Sequence, residues 1–287
     1  MSGSTPFFAT TADGVRLALR RIGPPKGTPV LLSHGSFSNH GTCLGLASYL
    51  ETMGWTAWVF DWRGRGDSGT PATAACFDAV ARWDVPCVVD AVLAHSGHER
   101  LFWVGHSGGG LVAAMWLARH PQLGQQKIAG LAMLASQATE AARHWRARAA
   151  LRLFDGYLRW HPTAHGPRLR MGPENEDAAM MRQWCRWNLR QVFHGDDGFD
   201  YLAGLSTLTL PVLALAGKGD RHIAPPLGCH KLMQAFGSVD RSFEICGTAQ
   251  GFLEDYTHNR LILSRSARKE IWPLVGQWLR ERLDNRV

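Results

Sequence analysis

The stretch that decides the fold is Leu101-Phe-Trp-Val-Gly105-His106-Ser107-Gly108-Gly109-Gly110-Leu-Val-Ala-Ala-Met-Trp-Leu-Ala118. Its first four residues are a short, wholly apolar run, as a strand buried on both faces requires. Its last nine have the length and composition of a helix. Between them stands Gly105-His106-Ser107-Gly108-Gly109, a G-x-S-x-G pattern in a strand–turn–helix setting. A turn that tight admits only small residues two places either side of the serine. It leaves the Ser107 hydroxyl exposed above the sheet edge, at a helix N-terminus that favours developing negative charge.

Outward from this point the same rhythm repeats. Apolar runs end at glycine or polar turns: Val30-Leu-Leu before Ser33-His34-Gly35, Thr56-Ala-Trp-Val-Phe before Asp61, Ile128 to Ala135, and Pro211 to Ala216. An alternating run, Gly14 to Arg21, reads as a half-buried entry strand. Leu44–Thr52, Phe77–Leu93 and Leu111–Arg119 read as helices. The alternation predicts an α/β fold, a mostly parallel, doubly wound sheet with helices on both faces. The rhythm breaks once, between Ala135 and Leu208. There Ala138–Trp160 and Glu174–Phe193 read as helices, the second opened by Glu174, Glu176 and Asp177, as a helix dipole prefers. Met180, Trp184 and Trp187 form an apolar stripe along it. The organisation expected is a core of residues 1–136 and 208–287, with residues 137–207 inserted as a helical cap.

The elbow and its surroundings resemble the α/β-hydrolase superfamily, in its serine esterase and lipase-like branch, over nearly the whole chain. His34-Gly35 is similar to that family's histidine–glycine loop. The resemblance implies an oxyanion hole from the backbone N–H of Ser36, or of Phe37, together with that of Gly108. Asp61-Trp-Arg-Gly-Arg-Gly-Asp-Ser68 is similar to the family's D-x-R-G-x-G-x-S turn, implying a loop brace rather than a reactive group. The family's triad runs serine, acid, histidine. Ser107 is then the nucleophile, and Asp220, directly after the strand that follows the cap, is the acid; Glu140 is a weaker alternative. Three histidines lie downstream of Asp220. His222 is too close to it, and His230 falls in an expected helix, Pro226–Phe236. His258 remains as the base, past a last strand at Arg241–Cys246. Many relatives have Gly-His soon after that strand. This chain has Gly251-Phe252, a departure that keeps a non-catalytic ligand-binding relative in view.

The resemblance implies hydrolysis of carboxylic esters of small or medium acyl length, lipid-like ones included, through an acyl-enzyme. Lactones, thioesters and amides share the triad and stay open. His34, Phe37, His106, Trp184, Trp187 and Phe252 are the candidate pocket residues, with neither His34 nor His106 acting as a base. Trp145, Phe154, Trp160, Met180 and Met181 are the cap's other large apolar groups, divided between its own packing and the pocket.

The chain has 287 residues, six cysteines and a net charge of +7. Its 19% charged and 45% hydrophobic residues fit an ordinary globular protein. No cysteine pair has metal-ribbon or redox spacing, so free thiols, a reducing, cytoplasmic setting and no metal are expected. No apolar run is long enough to span a membrane. Met1-Ser-Gly-Ser-Thr-Pro-Phe-Phe lacks the pattern of a signal peptide. Gly64-Arg-Gly66-Asp-Ser-Gly69 mimics a dinucleotide fingerprint but leads into Thr70-Pro71 rather than a helix, so no cofactor is expected. Residues 141–190 contain ten arginines, no lysine and four acids, which places six of the seven excess charges in the cap. Without a basic run or a nucleic-acid motif, no nucleic acid is expected. The charge is a solvated outer face or, more sharply, a device that draws anionic or interfacial substrates. The partner expected is a small-molecule ester.

Overall fold

In the computed structural model, which describes residues 6–284, the apolar runs become neighbours in one sheet. The strands are β1 (Phe7–Thr10), β2 (Arg16–Ile22), β3 (Pro29–Ser33), β4 (Thr56–Phe60), β5 (Leu101–His106), β6 (Ile128–Leu134), β7 (Thr163–Ala164), β8 (Glu176–Asp177), β9 (Val212–Gly217) and β10 (Arg241–Cys246). Eight of them form the sheet in the order β1-β2-β4-β3-β5-β6-β9-β10, while β7 and β8 pair with each other. β1–β2 and β2–β4 are antiparallel, and every pairing from β4 to β10 is parallel.

The period of two in the strands divides the core in half. Leu31, Trp58, Trp103 and Leu131 face one side, where the helices Val85–Ser96 and Gly108–Arg119 pack. Val30, Leu32, Val59, Phe102 and Val104 face the other, against the helices Leu44–Thr52 and Ala267–Asp284. Every residue of β3, β4, β5, β6 and β9 is buried, which is why these strands read as unbroken apolar runs.

Several elements depart from expectation. In β2, Leu17, Ala18 and Leu19 are all buried rather than alternating, because the Asp61–Gly69 turn lies against the strand. Ser68 Oγ accepts the Ala18 N–H at 2.9 Å, and the Gly69 N–H donates to Arg16 O at 2.7 Å. The helical stretch from Phe77 contains a π-turn at Val80–Asp84 before the helix Val85–Ser96. Pro86, with no N–H to donate, explains the break in the ladder. The helix after Ser107 starts at Gly108, three residues earlier than expected.

In the insert, the first helix is Trp145–Trp160 and does not reach back to Ala138. Upstream, side chains take the backbone donors that a helix would use: Gln137 Oε1 accepts from the Glu140 N–H and Asn188 Oδ1 from the Ala141 N–H. The second helix is Ala178–Arg190, bounded by a left-handed Gln191. Glu174 and Glu176 lie before it rather than in its first turn, and Glu176 belongs to β8. The stretch Met1–Thr5, on which most of the signal-peptide reading rests, lies outside the described residues. Among the described residues no helix is long and apolar enough to cross a membrane.

Candidate active site

β5 ends at His106 and a helix begins at Gly108, so Ser107 alone makes the turn. It does so at φ 55° and ψ −122°, a conformation that is strained for any residue with a side chain. Two hydrogen bonds hold it. The Ser107 N–H donates to Leu134 O at 2.8 Å, and Ser136 Oγ donates to Ser107 O at 2.7 Å. The flanking glycines are obligatory. A Cβ on Gly105 would strike the backbone of Gly109 and Gly110, and one on Gly109 would strike the carbonyls of Ser33 and His34.

Asp220 follows β9, and the loop bearing His258 is folded down beside it. Bare backbone at Gly217 and Gly219 permits this approach, since a Cβ on either would meet the carbonyls of Asp255 or Tyr256. The Gly219 N–H donates to Tyr256 O at 2.9 Å. Asp220 Oδ2 lies 2.6 Å from His258 Nδ1, and His258 Nε2 lies 2.9 Å from Ser107 Oγ. Burial opposes ionisation of Asp220, but the His258 ring and the N–H groups of Ala224 and Ile223 outweigh it and hold the carboxyl below the usual range.

The other candidate acid and bases lie elsewhere. Glu140 is paired with Lys231 Nζ at 2.6 Å, His230 packs at a tilt against Phe243 with ring centroids 4.7 Å apart, and His222 is exposed. His106 packs on the His258 ring at 4.9 Å, and its Nε2 lies 3.1 Å from His258 O. Burial and the adjacent His258 hold His106 neutral, with its pKa near 3.

Among the described residues, no partner within the chain takes the backbone N–H of Ser36 or of Gly108. The Phe37 N–H, the alternative donor, is committed to Glu176 Oε2 at 3.0 Å. Phe37 itself sits at φ 60°, and its carbonyl accepts the Glu174 N–H at 3.1 Å. Glu176 is fully buried and ion-paired with Arg65; burial raises its pKa and Arg65 opposes the shift.

A cavity of about 180 Å³ opens beside Ser107, bordered by Ser36, Gly108 and His106. Its apolar wall includes Phe37, Phe77, Leu111, Met181, Trp184 and Ile223. Three candidate pocket residues lie outside that wall. His34 is buried beneath the loop, where its Nδ1 lies 2.8 Å from Gly35 O and its Nε2 accepts the Trp62 N–H at 3.2 Å. Trp187 is packed between Phe77 and Phe193, with its Nε1–H donating to His194 O at 2.7 Å. Phe252 packs toward Tyr256 on the opposite side of the sheet. Trp145 and Trp160 join neither the insert's packing nor the pocket and are 74% and 85% exposed. Leu111, absent from the candidate pocket residues, lies one helical turn beyond Ser107, a spacing that marks it as a neighbour of the hydroxyl. Phe77 and Ile223 carry no comparable local signal.

The Asp61–Ser68 turn braces loops, as the resemblance implies. Asp61 accepts the N–H groups of His40 and Asp67 at 2.7 and 3.1 Å. Arg63 joins Asp84 and Asp13 at 2.8 and 2.7 Å. His40, Asp61 and Asp67 bring three potential ligand atoms within 4.8 Å of one another. The Arg20 guanidinium already bonds both carboxylates, so the cluster is satisfied by the protein's own donors.

Comparison with known proteins adds a family. The model of the alpha/beta hydrolase fold family matches residues 28–171. Mouse "Lipase member N" is 27% identical over 146 residues, covering 43% of this chain and 36% of that lipase. The chain thus spans little more than a third of the length of the curated relatives it matches. Among solved structures, a thermophilic esterase from Thermogutta terrifontis superimposes with a TM-score of 0.68 at 19% identity, covering 97% of this chain and 99% of that one. An esterase from Exiguobacterium antarcticum gives 0.68 at 17% identity, with 96% and 100% covered. At such identities these structures bear on the fold alone.

Proposed function

The chain belongs to the α/β-hydrolase fold family, and from that premise we propose that it is a serine hydrolase of carboxylic esters. The reading rests on one observation: the continuous contact Asp220–His258–Ser107, at 2.6 and 2.9 Å, beside an apolar pocket. A serine hydroxyl is a poor nucleophile at neutral pH until a base takes its proton. His258 Nε2 accepts that proton as Ser107 Oγ attacks the ester carbonyl, while Asp220 holds the ring's tautomer and stabilises the imidazolium. The free N–H groups of Ser36 and Gly108 receive the oxyanion, each such donor being worth about 10²–10³ in rate. His258 then protonates the departing alcohol. A water activated by the same imidazole releases the acid from Ser107.

The apolar wall suits a small or medium acyl chain, lipid-like ones included. The names of the relatives, lipases and esterases, point the same way. Residues 137–207 act in this reading as a cap over a core of 1–136 and 208–287. All six cysteines are free thiols, which suits a cytoplasmic location.

A fluorophosphonate probe should label Ser107, and p-nitrophenyl esters graded in acyl length should be cleaved. Ser107→Ala and His258→Ala should be folded and inactive, with His230→Ala close to the parent. Full activity of Ser107→Ala, or an inactive His230→Ala beside an active His258→Ala, would refute the assignment.

A further inference from the structure

The helix Trp145–Trp160 is apolar on two sides. At 100° per residue, Phe154 and Leu158 share the inner side, where they pack with Phe37, Ala178 and Met181. Trp145, Ala149, Leu153 and Trp160 fall within about 80° of one another on the far side, with Tyr157 at its edge toward Phe154, and all are exposed. Leu153 is 77% exposed, and of the protein's twelve tryptophans only Trp145 and Trp160 are exposed. Elsewhere exposed large apolar groups such as Leu123, Val239 and Leu283 are scattered along the chain, which is ordinary for a soluble surface. Four on one helix face are not.

The surroundings of this face are basic. Arg143, Arg146 and Arg152 are exposed, and Arg146 stacks over the Trp145 ring at 5.2 Å. Arg159 continues the row, sharing Asp155 with Arg182. A second copy meeting this face across a twofold axis would set arginine against arginine, in the segment that carries six of the seven net positive charges. Exposed tryptophan and leucine ringed by arginine suit instead a surface that is apolar within and negative outside. That is the chemistry of an anionic lipid interface.

We infer that the helix Trp145–Trp160 seats the protein on anionic lipid surfaces. Trp145, Leu153 and Trp160 enter the acyl boundary, and Arg146 and Arg152 meet the headgroups. The inference does not rest on the hydrolytic reading, because its readout is binding.

The test is co-sedimentation of the full chain with vesicles of phosphatidylcholine alone or mixed with phosphatidylglycerol. The protein should sediment with the mixed vesicles, less with the neutral ones, and less as salt is raised. Leu153→Glu and Trp160→Glu should each weaken that binding by about tenfold or more. Neither side chain borders the pocket, so cleavage of a water-soluble ester should be unchanged. The inference is overturned if the parent ignores both vesicles, or if Leu153→Glu binds as the parent does. It is equally overturned if sedimentation velocity shows a parent dimer that Leu153→Glu dissociates, since the face then belongs to a second copy.

Discussion

Glu176 Oε2 accepts the Phe37 N–H at 3.0 Å, so a carboxylate from the insert fixes the loop beside Ser36. Its charge is balanced by Arg65, on the turn after β4. The grip is two-sided, because Phe37 O also accepts the Glu174 N–H. Glu176→Ala should therefore lower kcat by about 10–100-fold with little change in KM, since the loop would lose its orientation rather than its substrate contacts. Stability should fall by about 1–3 kcal/mol, because the buried Phe37 N–H loses its acceptor and Arg65 keeps only Asp177, at 3.4 Å, and the Gly64 carbonyl. Glu176→Gln, which keeps an acceptor for Phe37, should recover much of kcat. Ester kinetics beside urea titrations check this, and an unchanged kcat in Glu176→Ala would remove Glu176 from any positioning role.

The backbone of Ser107 offers a second test. At φ 55° a glycine is unstrained where alanine is not. Ser107→Ala and Ser107→Gly should both lose on the order of 10⁶ in kcat, the loss expected when a triad serine is removed. The glycine variant should nonetheless be the more stable by about 1 kcal/mol. Equal denaturation midpoints would mean that the elbow stores no strain.

Acid should destabilise the fold before it reaches the carboxylates. Burial lowers the pKa of His34 to about 4 and that of His106 to about 3. Below about pH 6.5 the unfolded chain takes up protons that these two rings refuse when folded. Their contribution is complete above that pH and declines on acidification, at up to about 1.4 kcal/mol per pH unit for each ring, until the folded values are reached. Asp220 has the same sign of dependence, displaced to lower pH. Its depressed pKa contributes stability above the unfolded value of 3.8, lost only as pH falls further. Urea midpoints should drop between pH 7 and pH 5, and His106→Asn should flatten the slope. A midpoint that does not move over that range contradicts the burial of the two rings.

Trp184 borders the pocket from the insert while packing against its neighbours. Trp184→Ala should enlarge the acyl space and move the kcat/KM optimum toward longer p-nitrophenyl esters by about tenfold relative to short ones. An unchanged chain-length profile would place the acyl group elsewhere.

What could be read from the sequence was local. Gly105 to Gly109 announces the elbow because the turn's own backbone excludes side chains there. The parallel strands are legible because burial on both faces leaves unbroken apolar runs. Asp220 and His258 follow from their positions relative to those strands once the family is suspected. Long-range partners were not legible. Glu176 reads as a helix-dipole acid until Arg65, 111 residues away, is seen to claim it. Trp187 and Trp145 are the same residue type in neighbouring helices, yet one is wholly buried and the other 74% exposed. Which side of a helix meets the sheet is decided by its neighbours, and the apolar stripe cannot report that alone.

Ser107 and His258 lie 151 residues apart, and Asp220 and His258 38 apart. During synthesis the elbow therefore emerges long before its base. A nascent chain that has released only β1 to β6 carries the elbow, yet it lacks β9, the helix Ala267–Asp284 and the proposed base of its serine. Contacts at such separations also form late, after most of the loop-closure entropy has been met. Under the proposed mechanism, competence arrives only when the segment beyond β10 docks. An ester assay on refolding protein would thus report the last stage of assembly, while far-ultraviolet circular dichroism reports the first.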